Sequence, residues 1–315
     1  MPEIITITFS PCIDKSTSVA ALVPEKKLLC TNPNMEPGGG GINVARAIKK
    51  LGGEATAVYP ACGYTGKFFT QLLQKENVPS IVIETINHTR ENMIVVDESS
   101  NQQYRFGMPG TALFETEWQQ CLQAITTAAG VEYIIASGSL PPGVPLNIYA
   151  QIALIAKNKN AKFIVDTSGE PLQHAADEGV FLLKPNLGEL SALAGKKELQ
   201  PNEIAAVAKE IIAKGKCEAV VVSMGAAGAM LVTKDMTETI TPPAAERKST
   251  VGAGDSMVAG IIFYLSQNKP LIEAVQYGVA CGTAATMNSG TELCKKEDAD
   301  KLFELIKKTA TRKTC

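Results

Sequence analysis

The alternation of short apolar runs with stretches of helical spacing constrains this chain more than any other feature. "IITITFS" (4–10) is β-branched and strand-length. Behind four glycines, "INVARAIKKLGG" sets Ile42, Ala45, Ile48 and Leu51 on one helical face, with Gly52 as a stop. "ATAVYPACG" reads as the next strand and "TGKFFTQLLQKENV" as the next helix. The rhythm resumes with "YIIASGS" (133–139), "NIYAQIALIAKNKN" (147–160), "KFIVDTSG" (162–169), "VFLLKPN" (180–186), "EIAAVAKEIIAKGK" (203–216) and "AVVVSMG" (219–225). Buried strands alternating with helices predict an α/β fold, a mostly parallel sheet covered on both faces. Residues 15–36 and 86–108 break the pattern: "STSVAALV", "NMIVVDE" and "QQYRFGM" read as strands with no helix between them, and "DESSNQ" as a hairpin turn. They predict a small separate sheet, which must lie over a site or against another subunit to cover its second face.

Composition excludes several classes of function. The 315 residues carry 30 basic and 32 acidic side chains, a net charge of −2 that gives no field for nucleic acid or an anionic membrane. No run approaches the ~20 apolar residues of a membrane span, and Glu3 stands where a signal peptide wants basic residues. Eight scattered cysteines with no Cys-x-x-Cys pair, and only His88 and His174 beside them, argue against zinc. Cysteines such as Cys217 and Cys281 read as small core hydrophobes, and a reducing, cytoplasmic setting is expected.

The chemistry is concentrated in "KSTVGAGDSMVAGII" (248–262), where glycines precede an apolar helical run and one carboxylate stands at the junction. Unpaired N–H groups at such a helix start favour negative charge, and Asp255 beside them can take a proton from a hydroxyl. Phosphoryl transfer needs that combination of positioning and electrostatic stabilisation. A helix cap with a turn of glycines is the alternative reading of the same residues. No Walker or G-x-G-x-x-G nucleotide motif occurs.

"PGGGGINVARAIKKLGG" (37–53) with "STVGAGDSMVAGII" (249–262) resembles the paired signatures of the ribokinase-like carbohydrate kinases, the phosphofructokinase B family. "SGSLPPG" (137–143), "VDTSGE" (165–170), "KPNLGELS" (184–191) and "VVSMGAAGAM" (221–230) match in order between them, so the similarity spans essentially the whole chain. It implies a single domain over 1–315 with a ribokinase-like three-layer sandwich and a small β-sheet lid. It also implies an ATP- and Mg²⁺-dependent kinase that phosphorylates the 1-hydroxyl of fructose 6-phosphate or a related ketose phosphate, working as a homodimer through the lid.

Carried onto this chain, the family pattern makes Asp255 the base and Gly252, Ala253 and Gly254 the anion hole. Asp14, Gly39, Gly40, Asn43 and Ser139 would hold the sugar, and Arg90, Arg105 and Lys27 its phosphate, Lys27 from the partner subunit. Lys184, Asn186, Ser223, Gly225 and Gly228 would line the nucleotide, while Glu189 and, through water, Asp166 would serve Mg²⁺. Ser249, Val251, Asn288 and Gly290 would offer oxygens to K⁺, though Glu292 stands where the pattern has a basic residue. Tagatose 6-phosphate and fructose 1-phosphate remain alternative acceptors, and a sugar-phosphate sensor without chemistry remains the alternative class.

Overall fold

A computed structural model describes residues 3–313; Cys315 lies outside the described residues. Its strands are β1 (Glu3–Ile7), β2 (Cys12–Val19), β3 (Asn34–Gly38), β4 (Thr56–Ala61), β5 (Ser80–Glu84), β6 (Arg90–Asp97), β7 (Gln102–Phe106), β8 (Val131–Ser137), β9 (Lys162–Asp166), β10 (Val180–Leu183), β11 (Cys217–Ser223), β12 (Ala229–Thr233) and β13 (Thr237–Ile240). Its helices are α1 (Gly40–Lys50), α2 (Gly63–Lys75), α3 (Glu115–Thr127), α4 (Ile148–Lys159), α5 (Gly169–Glu178), α6 (Leu187–Leu193), α7 (Ile204–Ala213), α8 (Ala253–Leu265), α9 (Leu271–Thr286) and α10 (Lys296–Lys313). Among the described residues the main sheet has nine strands in the order β13-β12-β11-β10-β9-β8-β1-β4-β5. Pairing is parallel from β11 to β5, as the alternating pattern predicts.

The last two strands differ. β11 meets β12 antiparallel, and β12 meets β13 likewise. Only a 3₁₀ turn, Gly225–Ala227, separates β11 from β12, too short for the crossover a parallel pair needs.

Two cores clothe the sheet. One joins α1, α2, α8, α9 and α10 to one face, and the other joins α3 to α7 to the opposite face. Ile42, Ala45, Ile48 and Leu51 of the α1 stripe are all fully buried. Helix α8 is apolar nearly all round because it is wedged between α1 and α9, and Ser256 to Phe263 are buried without a break. Each large side chain there is worth about 1.5–3 kcal/mol of burial, so the helix behind the GAGD turn is firmly seated.

The small sheet runs β3-β2-β6-β7, with β2 and β6 parallel and the other pairs antiparallel. The turn 98–101 joins β6 to β7, as "DESSNQ" suggests, whereas residues 20–33 form a long connection rather than continuous strand. Asp14 departs from the sequence expectation. It lies inside β2 rather than after a strand end, because the chain turns past Pro11 and pairs again from Cys12 onward.

Candidate active site

The carboxyl ends of the parallel strands open onto one cleft. β8 ends at Ser137, β9 at Asp166 and β11 at Ser223, and Lys184 directly follows β10. Strand β1 sits between β8 and β4, where connections leave the sheet in opposite directions, which is where open α/β sheets bind ligands. Thr8 follows β1, and its hydroxyl accepts the Ile42 N–H at 2.9 Å, seating the start of α1 in the cleft. The fit is close: a Cβ on Gly40 would lie 2.2 Å from Ser137 Oγ.

α1 and α8 bring their amino ends together here. Asn43 Nδ2 donates to Asp255 Oδ2 at 2.9 Å, and Ser137 Oγ donates to Oδ1 at 3.4 Å. Gly252 precedes α8 with φ 72°, a left-handed conformation that a side chain resists. Among the described residues, no protein acceptor receives the N–H groups of Gly252, Ala253 or Gly254. Open donors and a carboxylate therefore share one helix start. Burial, reinforced by the Asp166 charge, pushes the Asp255 carboxyl up to about 7, against the Asn43 hydrogen bond, the Lys184 charge and the Ser137 hydroxyl.

Lys184 Nζ pairs with Asp166 Oδ1 at 3.1 Å and is itself buried. A Cβ built on Gly254 would stand 3.5 Å from that ammonium, so the cation flanks the open amides. Burial opposes its charge, but the Asp166 carboxylate overrides this and holds Lys184 above its ordinary value. Asn186 and Glu189 form a reciprocal cap on α6: Asn186 N donates to Glu189 Oε2 at 2.8 Å and Glu189 N to Asn186 Oδ1 at 2.9 Å. Burial raises the Glu189 carboxyl, and Asp166 adds to it. Ser223 N donates to Pro185 O at 2.9 Å, setting β11's end beside that cap.

The small sheet supplies the opposite wall. Asp14 is buried, and its Oδ1 accepts from Asn92 Nδ2 at 2.9 Å and from Cys12 Sγ at 3.4 Å. Burial raises its carboxyl despite both bonds. Arg90 Nη1 donates to Met108 O at 2.7 Å and Nη2 to Ser10 O at 3.2 Å, leaving its buried Nε without a partner. Arg105 reaches from β7 to Thr250 Oγ1 at 3.1 Å, two residues before Gly252.

Other expected site residues stand apart from the Asp255 cluster. Lys27 is exposed on the 20–33 connection and makes no hydrogen bond or ion pair with another described residue. Ser139 is exposed just beyond β8, and Gly225 and Gly228 frame the turn after β11. Sequence reasoning passed over Ser137 and Asn92. The first serine of "SGS" closes a strand, and Asn92 lies two residues after Arg90 on the same strand face, so both carried a legible signal.

The donor sets suit the expected ions. Asp166 and Glu189 offer hard oxygens, and no cluster of three or more metal-ligating side chains exists among the described residues. One or two carboxylates completed by phosphates and waters is how Mg²⁺ is usually held. Ser249 Oγ donates to Gly290 O at 2.7 Å and accepts the Val251 N–H at 3.2 Å, while Asn288 Nδ2 donates to Leu293 O at 3.0 Å. These bonds lay two oxygen-rich segments side by side, which fits a monovalent cation. Glu292, half-buried beside Gly290, pairs with Lys295 at 3.3 Å.

Residues 7–298 match the family described as pfkB family carbohydrate kinase. The chain is 45% identical over 307 residues to the ATP-dependent 6-phosphofructokinase isozyme 2 of Escherichia coli, covering 97% of this chain and 99% of that protein. It is 42% identical to the protein of the same name from Mycobacterium tuberculosis, over 96% of this chain and 90% of that one. The crystal structure of Escherichia coli phosphofructokinase-2 in complex with potassium superposes with a TM-score of 0.93 at 45% identity, covering 98% of this chain and 100% of that one.

Proposed function

The chain belongs to the pfkB family of carbohydrate kinases, and from that membership we propose that it is an ATP-dependent 6-phosphofructokinase. It moves the γ-phosphoryl of ATP to the 1-hydroxyl of fructose 6-phosphate, giving fructose 1,6-bisphosphate. The observation that carries the mechanism is the pairing of Asp255 with the open N–H groups of Gly252, Ala253 and Gly254. A structural cap would turn its carboxylate back onto those amides; Asp255 instead faces Asn43 and Ser137 across the cleft.

In this reading Asp255 takes the proton of the 1-hydroxyl as attack begins. The three amides hold the charge on the travelling phosphoryl group, with Lys184 alongside. Mg²⁺, when bound with ATP, neutralises the phosphates; Glu189 and Asp166 would hold it through water, and Asn186 would help orient the chain. Ser223, Gly225 and Gly228 would border the nucleotide. Ser249, Val251, Asn288 and Gly290 would hold K⁺ beside the anion hole.

Asp14, braced by Asn92, would accept hydrogen bonds from two sugar hydroxyls, with Asn43, Ser139 and the Gly39–Gly40 backbone completing the contact. Arg90, Arg105 and a partner subunit's Lys27 would bind the sugar phosphate. The outward side chains Met93 and Phe106, register partners across β6 and β7, and nearby Tyr104 are each about 40% exposed or more, an apolar face that supports dimerisation through the lid. The free thiols among the described residues suit a reducing, cytoplasmic setting.

A coupled ADP assay with MgATP tests the proposal across fructose 6-phosphate, tagatose 6-phosphate, fructose 1-phosphate and free fructose, with and without K⁺. Fructose 6-phosphate should give the highest kcat/KM, by at least about tenfold. A higher value for another acceptor would reassign the substrate, and no ADP with any of them would leave only a binding role.

A further inference from the structure

Arg46 has the largest fully buried side chain in the described protein, and it lies on α1 three residues beyond Asn43. Its five N–H groups all find acceptors. Nε and Nη2 grip Glu76 at 2.8 and 2.7 Å, and Nη2 also reaches Glu36 Oε1 at 3.0 Å. Nη1 donates to Pro37 O at 2.8 Å and, as the longest of the set, to Asn43 Oδ1 at 3.5 Å. The acceptors come from the end of α2, from β3 at the root of the small sheet, and from α1 itself.

A guanidinium can only donate, so it can pair only with the oxygen side of the Asn43 amide. The amide's N–H side is then turned toward Asp255. We propose that Arg46 is a positioning residue for the phosphoryl transfer, fixing the Asn43 amide so that it donates to Asp255 and tying that bond to the root of the lid. A second branch reaches the same helix start. Glu36 Oε2 accepts the Thr291 hydroxyl, and neighbouring Gly290 takes the Ser249 hydroxyl, whose oxygen in turn receives the Val251 N–H just before Gly252. One buried cation thus braces both the carboxylate and the turn that carries the open amides.

The inference rests on Asp255 being the base. Asp255 is faced by Asp166 at the end of β9, Lys184 beyond β10, Ser137 on β8 and Asn43 on α1, with the Cys12 thiol of β2 also acting on it. Around Arg46 the charged groups are Glu36 of β3, Glu76 after α2, Asp14 of β2, whose charged form the guanidinium favours, and Lys50 and Glu292 across the adjoining cavity.

Arg46→Lys keeps the charge but cannot serve five acceptors in a plane. With the amide free to turn its oxygen to Asp255, the acid limb of the kcat/KM profile should move up by about one pH unit. Activity near about pH 6.5 would then fall roughly tenfold and return at alkaline pH, with KM for ATP unchanged. Glu76→Ala, at a partly exposed position, loosens the same fork without emptying the core and should move the limb the same way by about half as much. It decides the matter if Arg46→Lys does not fold, as judged by its thermal transition. A loss that is equal at all pH values, or a limb that stays in place in a folded variant, overturns the inference. Asp255→Asn measured alongside separates the two claims. If that variant turns over normally, the base assignment falls and this inference with it. If it is inactive while Arg46→Lys keeps the parental profile, only the role of Arg46 is lost.

Discussion

Asp255 meets two opposing demands, since a base must shed its proton while a closed cleft disfavours charge. Burial and Asp166 hold its carboxyl at about 7, and the Asn43 and Ser137 bonds keep it from rising further. The base works only when deprotonated, so kcat/KM for the sugar should fall as pH drops through about 7, measured in the coupled assay between about pH 5.5 and 9. A profile flat down to about pH 5.5 would remove Asp255 from the proton transfer. Stability runs the other way. A carboxyl raised from 3.8 to about 7 on folding favours the native state most at low pH, and this contribution is lost as pH rises through about 7. Single residues were unevenly legible. Asp255 and the glycines announced themselves through composition and Ser137 through its place at a strand end, but Arg46 did not, because an arginine on an apolar helix looks ordinary until tertiary contacts form.

Helix α8 and the small sheet face each other across the cleft and differ in how they could be read. α8 was plain from its apolar run, and the strands of the main sheet from their β-branched residues. The antiparallel β12 and β13 were not, because nothing local distinguishes an edge hairpin from another parallel strand until the connection length is seen to exclude a crossover. Asp14 was misplaced for a similar reason: long-range pairing with β6, not local propensity, puts it inside a strand. The small sheet also supplies Arg90, whose two Nη atoms are braced by Met108 O and Ser10 O while Nε is unpaired. A braced guanidinium with a spare donor suits a phosphate. Arg90→Ala should raise KM for fructose 6-phosphate about tenfold or more while leaving KM for ATP near its original value. Equal rises in both would show that the arginine only supports the wall of the cleft.

On the scale of the whole molecule, the fold places a sheet's carboxyl edge, two helix starts and a lid around one space, and the lid leaves Met93, Tyr104 and Phe106 outward. On the proposed dimer, Phe106→Asp should shift sedimentation toward monomer at micromolar protein and weaken sugar-phosphate binding; a sedimentation coefficient unchanged from the parent would remove this face as a subunit interface. What ties the molecule to its chemistry, however, is the carboxylate beside the open amides. Asp255→Asn preserves size and one acceptor oxygen but cannot take a proton, so the direct measurement is its kcat with MgATP and fructose 6-phosphate, paired with calorimetric sugar binding. The account predicts a loss of at least about 10²-fold in kcat with binding of fructose 6-phosphate retained. Turnover within a few-fold of the parent would contradict it.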